Sequence, residues 1–218
     1  NYINRNQLPH HAYNPGMGAI NLNENRILFK WKRLDRAEYK ISLTAPGLKN
    51  SAQVTNITMD LDNKKGPVYN YELDGNKFHE SWSVNRRILS KKGSRWLPVR
   101  ESAYYATEVL RQLLIDRGIE IGNIKRAIVS ETSKLLYTHY SAKNTEILKS
   151  ALRYSKNMVT ESIGLAASRN VSSNLYDLDQ SAVFMTRWFR MIIGMQRSWF
   201  LDHSGVSAGS VSASGGGG

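Results

Sequence analysis

Apolar and polar residues alternate with a period of two through most of the first hundred positions. Ile27, Phe29 and Trp31 alternate with Leu28, Lys30 and Lys32, and Tyr39, Ile41 and Leu43 with Lys40 and Ser42. Ile57, Met59 and Leu61 repeat the pattern, and so do Phe78, Glu80, Trp82 and Val84, with Glu80 as the one polar member. Such alternation marks half-buried β-strands, because successive side chains of a strand point to opposite faces. Asn14-Pro15-Gly16, Ala45-Pro46-Gly47, Lys65-Gly66-Pro67, Asp74-Gly75 and Lys92-Gly93 separate the runs as turn signals. Asp74-Gly75, between Tyr71 and Phe78, reads as a hairpin turn.

From about residue 101 the period becomes helical. Ser102 to Arg117 puts Tyr105, Val109, Leu113, Leu110 and Leu114 on one broad face, with Gly118 placed to cap the C-terminus. A β-like stretch follows around Ile124 to Val129, and His139 ends another apolar strand. Asn144 or Thr145 starts a helix carrying Ile147, Leu148, Ala151 and Leu152, which is interrupted near Ser155-Lys156-Asn157. The helical pattern resumes with Val159, Ile163, Ala166 and Ala167. A last helix, about Asp179 to Gln196, carries Val183, Phe184, Met191 and Ile192, with Arg187 and Arg190 on its wetter side. Asp177 and Asp179 read as turn and cap residues, and no repeat recurs at a fixed period.

Composition narrows the classes. The 218 residues are 41% hydrophobic, with five Trp, eleven Tyr and five Phe, enough for a folded core. No Cys is present, which excludes disulfides, thiolate catalysis and Cys-ligated metal centres. No apolar run is long enough for a transmembrane helix. Lys and Arg outnumber Asp and Glu by 30 to 18, a net charge of +12. That balance suits polyanionic partners: nucleic acid, an anionic membrane or an acidic cell-wall polymer. The basic groups are nevertheless scattered, the densest being Lys30-Trp31-Lys32-Arg33, Arg86-Arg87 and Lys91-Lys92, and no zinc-finger, RNP or helix-turn-helix signature accompanies them. The end, Gly209 to Gly218, reads as a flexible tail.

Tyr154-Ser155-Lys156-Asn157 is the segment with chemical potential. A Ser and an Asn two apart, at a break between two apolar helices, can aim both side chains into one cleft. There the hydroxyl can pass a proton and the carboxamide can both donate to and accept from a substrate amide. A helix-interrupting turn or an N-cap uses the same residues. His10, His11, His79, His139 and His203 have no H-E-x-x-H or carboxylate cluster around them, and His10-His11 fits a loose terminal segment better than a metal pair. Asp202-His203-Ser204 has the residue types of a catalytic triad, but consecutive residues cannot converge as one.

The order of motifs carries a resemblance. Tyr13-Asn14-Pro15-Gly16-Met17-Gly18-Ala19-Ile20-Asn21-Leu22-Asn23 opens a β-rich region, and Trp96-Leu97-Pro98-Val99-Arg100 leads into the Tyr104-Tyr105-Ala106 helix. Tyr140-Ser141-Ala142, Leu148 to Asn157 and Asp202-His203-Ser204-Gly205-Val206-Ser207 follow. Over about residues 13–208 the chain resembles the class C low-molecular-mass penicillin-binding proteins, the D-alanyl-D-alanine carboxypeptidase/endopeptidase family. The resemblance implies an α+β fold. A β-rich inserted domain with one helix would cover about residues 1–125, and part of a helical, serine transpeptidase/β-lactamase-like lobe about 126–208, followed by the tail at 209–218.

Members of that family work through three motifs, S-x-x-K, S-x-N and K-T-G. By resemblance Ser155 and Asn157 are the S-x-N pair. Ser155 joins the proton network to the leaving amine, Asn157 binds the substrate's peptide backbone, and Lys156 fills the variable position between them. No Ser in the 218 residues has Lys three positions on, and no Lys precedes Thr-Gly or Ser-Gly. His203-Ser204-Gly205 is spelled like a variant third motif, but it falls where the family has a D-x-S-G loop. The expectation is that the nucleophile precedes residue 1, that K-T-G follows residue 218, and that the chain alone is inactive. The resemblance implies a periplasmic or secreted serine-type enzyme that acts on peptidoglycan stem peptides through an acyl-enzyme. It would need no metal or other cofactor and would be blocked covalently by β-lactams, and nucleic acid is not an expected partner. A non-enzymatic basic module binding nucleic acid or a cell-wall polymer is the competing class.

Overall fold

The computed structural model describes residues 7–36, 38–46, 51–52, 54–63, 66–74, 78–172, 177–207 and 209–210. Its β-rich part holds seven strands among the described residues: β1 (Arg26–Arg33), β2 (Tyr39–Pro46), β3 (Ser51–Ala52), β4 (Ile57–Asp62), β5 (Tyr69–Asp74), β6 (His79–Asn85) and β7 (Lys92–Pro98). One sheet has the order β3-β2-β1-β7, the other β4-β6-β5. The first is antiparallel; in the second β6 pairs parallel with β4 and antiparallel with β5. The alternation seen in the sequence selects the inward faces. Ile27 and Phe29 of β1, Ile57 and Met59 of β4, Trp82 and Val84 of β6 and Leu97 of β7 enter one core. Helix α1 (Ser102–Ile115) closes that core with Tyr105 and Val109. The Tyr105 hydroxyl donates to the Arg26 carbonyl at 2.9 Å, and burial pushes its pKa up to about 12.

Three further helices make up the helical part: α2 (Asn144–Tyr154), α3 (Asn157–Val171) and α4 (Leu178–Trp188), the last continued by a π turn over Phe189–Ile193. Asp177 caps α4, accepting from the Gln180 N–H at 2.8 Å. α1 ends earlier than expected, at Ile115 with Asp116 as its C-cap, and Gly118, at φ 79°, lies two residues beyond the cap with its N–H donating to the Ile115 carbonyl at 2.8 Å. The chain is thus α+β, strands first and helices after.

Several expectations need correction. Ile124–Val129 and the stretch ending at His139 form no strand; residues 119–143 run without regular structure, and Ile128 is 97% and Leu136 90% exposed. A strand needs a hydrogen-bonding neighbour, and among the described residues none lies beside this stretch. Lys92-Gly93 is not a turn but the start of β7. A Cβ on Gly93 would fall 2.3 Å from the Trp31 ring, so the missing side chain makes room for the indole. Ala45 and Pro46 end β2, whereas Gly47, Lys65 and Gly75 lie outside the described residues. β5 and β6 do pair antiparallel on either side of Asp74-Gly75, matching Asp74 with His79. On the helices, Leu110, Leu148, Leu152, Val183, Met191 and Ile192 are exposed and Ala166 and Ala167 lie at the surface. The packed positions are instead Ala151, Met158, Glu161, Ser168, Ser181, Ala182 and Thr186, mostly small or polar, which lets α3 and α4 approach closely. The tail from 211 to 218 lies outside the described residues.

The inward polar residue of β6 holds the next segment in place. Glu80 is fully buried and accepts the backbone N–H groups of Arg100 (2.9 Å) and Glu101 (2.9 Å), where β7 gives way to α1. Burial drives its pKa from 4.5 up to about 7, partly offset by those N–H donors. The folded state therefore binds the Glu80 proton more tightly than the unfolded chain, and this contribution to stability is full below pH 4.5 and lost as pH rises through about 7. Thermal unfolding should show a decline over that window worth up to about 3 kcal/mol. Glu80→Gln should flatten it; an unchanged pH profile in the variant would contradict this account.

Candidate functional site

The N-terminal segment is carried to its position by the β-rich part. The Arg100 guanidinium donates to the carbonyls of Asn14 and, at 2.9 Å, Pro9. Gly16 donates to the Val99 carbonyl at 2.8 Å and accepts from the Asn25 side chain at 2.8 Å. A Cβ on Gly16 would lie 2.2 Å from the Arg100 carbonyl oxygen, so only glycine permits this approach. Asn23, Glu24 and Asn25 then follow one another at φ 52°, 54° and 48°, in the left-handed region that Asn tolerates better than most residues. This turn directs Glu24 and Arg26 to the same side as Tyr13 and Pro15.

Opposite stands the break between α2 and α3. The sequence stops α2 with Ser155, which adopts φ 50° and ψ 51° as a left-handed C-cap and has the penalty of a Cβ there. The N–H groups of Ser155 and Lys156 both turn back to the Ala151 carbonyl, and α3 starts two residues later. Between the two walls is an open cleft of about 230 Å³ lined by Ala12, Tyr13, Pro15, Glu24, Arg26 and the run Tyr154 to Met158. Ser155 and Asn157, named from the sequence, are both among its lining residues. The Asn157 carboxamide donates to the Tyr13 carbonyl across the cleft at 3.4 Å. Lys156 lies 3.3 Å from the Glu24 carboxylate, which also pairs with Arg26. A half-exposed ion pair of this kind contributes little stability, about 0–1 kcal/mol, and its effect here is on orientation across the cleft. The lining thus combines a serine, an asparagine and a rim of charged side chains.

Ala12, Tyr13, Pro15, Glu24, Arg26 and Met158 also line the cleft, and nothing in the sequence marked them as site residues. For the turn at Glu24 the signal was its place between two asparagines, a composition that favours left-handed backbone. His203 lies elsewhere. Its ring sits between α3 and α4, 2.7 Å from the Ser181 hydroxyl, and is not among the cleft residues, so the segment is placed as a loop behind α3. His10 and His11 pack against Tyr69 and Tyr13, and His11 bonds Gln7 and Tyr13, so the segment is docked rather than loose. His79 is paired with the Thr58 hydroxyl at 3.2 Å. The basic group of β1 is a solvated strand face, with Arg33 held by the Tyr39 hydroxyl and the Leu89 carbonyl.

The sequence profile of the D-Ala-D-Ala carboxypeptidase 3 (S13) family matches residues 7–213. The chain belongs to the S13 family. Among solved structures it is similar to penicillin binding protein 4 (dacB) from Haemophilus influenzae complexed with a β-lactam, with a TM-score of 0.67, 18% identity, and coverage of 94% of this chain and 47% of that one. A second structure of the same Haemophilus influenzae protein gives a TM-score of 0.63, 16% identity, 92% and 45%. The S13 chain described here therefore spans about half the length of the structures it matches. No curated protein sequence matches it. The family agrees with the resemblance drawn from the order of motifs, and the structural likeness supports the α+β fold.

The left-handed joint can be tested by stability alone. Ser155→Gly should leave stability unchanged or raise it by up to about 1 kcal/mol, while the β-branched Ser155→Val should lower it by about 1–2 kcal/mol. Urea unfolding of the three forms measures this. Equal tolerance of Gly and Val would show that the joint is not left-handed.

Proposed function

We propose that this chain supplies the S-x-N corner of a serine-type D-alanyl-D-alanine carboxypeptidase, with endopeptidase action within its chemical reach. The enzyme acts on peptidoglycan stem peptides through an acyl-enzyme, outside the cytoplasm, in the periplasm or as a secreted protein. The observation that carries the proposal is that Ser155 and Asn157 line one cleft in a chain of the S13 family. In the proposed reaction a serine from an S-x-x-K segment outside these 218 residues attacks the carbonyl of the penultimate D-Ala. Ser155 relays the proton to the departing amine, and Asn157 holds the peptide group beside the scissile bond by donating from its Nδ2 and accepting at its Oδ1. The charged rim of Glu24, Arg26 and Lys156 contacts the remainder of the stem peptide. The proposed division of the chain is a β-rich domain to about residue 125, which builds one wall of the cleft, and a helical part from there to about 208, which builds the other. No helix among the described residues is long and apolar enough to cross a membrane.

The complete protein containing this chain should be labelled covalently by a fluorescent penicillin. Asn157→Ala should slow labelling by about 100-fold, the cost of losing a group that orients the reacting bond. Ser155→Ala should slow it by a factor in the range of about 100 to 10,000, as expected for removal of a proton-transfer group. Absence of label in the parent protein would reject the acyl-enzyme; unchanged labelling in Asn157→Ala would reject this placement of the motif.

A further inference from the structure

The first turn of α3 is seated by buried Met158, but its N-terminal end has no side-chain cap. Lys156 points instead to Glu24, Ser155 before it is strained and exposed, and the Asn157 carboxamide makes a long bond of 3.4 Å to the Tyr13 carbonyl. One turn further, about 5.4 Å along the axis, stands Glu161, fully buried. Its carboxylate accepts the backbone N–H of His203 (3.0 and 3.2 Å to its two oxygens) and of Ser204 (2.8 Å). Asp202, 3% exposed, accepts the N–H groups of Gly205 and Ser207, each at 2.6 Å. Two buried carboxylates thus take up four backbone donors of one short loop. The His203 ring completes the joint. Its Nε2 lies 2.7 Å from the Ser181 hydroxyl, which donates to Ser168 at 2.8 Å, and its Nδ1 faces the Met185 sulfur at 3.2 Å. A Cβ on Gly164 would fall 2.2 Å from that ring, so the ring occupies the space the glycine leaves on α3. Charge-assisted bonds to a buried carboxylate are about twice as strong as neutral ones, and removing such a partner leaves buried donors unpaired.

We propose that Glu161 is a positioning residue for the cleft: by gripping the 202–207 loop it fixes the first turn of α3, and with it the direction in which Asn157 presents its carboxamide. The consequence for catalysis rests on the acyl-transfer reading above; the grip itself does not.

The test uses the complete protein. In the parent, the backbone amides of His203 and Ser204 should exchange slowly with deuterated solvent; rapid exchange would overturn the proposal and needs no variant to be seen. In Glu161→Gln those amides should exchange at least about tenfold faster, and the Asn157 side-chain amide resonances should shift. Unchanged Asn157 resonances in the folded variant would overturn it. Penicillin labelling of Glu161→Gln should slow by about tenfold, and the same substitution added to Asn157→Ala should cost less than about twofold, since it acts through the group already removed. A loss that multiplies in full on top of Asn157→Ala would also overturn it. A parent protein that takes no label at all would reject the acyl-enzyme instead, and the exchange and resonance measurements would still decide the role of Glu161.

Discussion

Ser155 adopts a backbone conformation that any residue with a Cβ occupies at a cost, and the geometry of the cleft follows from it. A right-handed residue at this position would continue α2 into α3 as one helix. Positions 155 and 157 would then point in directions about 200° apart around the axis and could not serve one cleft. The left-handed residue turns the chain within two positions, lets α3 begin anew at Asn157, and leaves both residues on the lining of one cleft.

A strained joint of this kind holds only where its surroundings over-determine it. On one side the β-rich part supplies a fixed wall: buried Glu80 sets the backbone at residues 100 and 101, Arg100 holds the carbonyls of residues 9 and 14, and Gly16 lies against the same backbone. On the other side Glu161 and Asp202 bind the 202–207 loop to α3. Each half thus uses a buried carboxylate that accepts backbone N–H groups, and burial raises the pKa of both Glu80 and Glu161. Carboxylates in these places are costly to bury, and their donors direct where the chain must pass.

The β-rich part was largely legible in the sequence because a two-residue period on strands packed on one face translates directly into burial; even Glu80, the polar exception, points inward. The helices were legible in their limits but not in their faces. α3 and α4 pack through Ser168, Ser181, Ala182 and Thr186, which no hydrophobic pattern reveals, while apolar Met191 and Ile192 stay outside. Residues 124–129 have the composition of a strand, but strand formation depends on a neighbour, which composition does not report. In the cleft, Ser155 and Asn157 stood out as polar residues at a break between helices, and it was the resemblance carried by the order of motifs that singled them out as a pair. Tyr13, Glu24 and Arg26 did not stand out, because a series of left-handed residues and a glycine contact bring them there from more than a hundred positions away in the chain.

A crystal structure of the complete protein acylated by a β-lactam tests whether the joint at Ser155 builds the acyl-transfer site. In it the Ser155 Oγ and the Asn157 carboxamide should lie within hydrogen-bonding distance of the bound acyl group, with Ser155 still at positive φ. An acyl group seated away from this cleft, or a continuous helix through residue 155, would contradict this role of the joint.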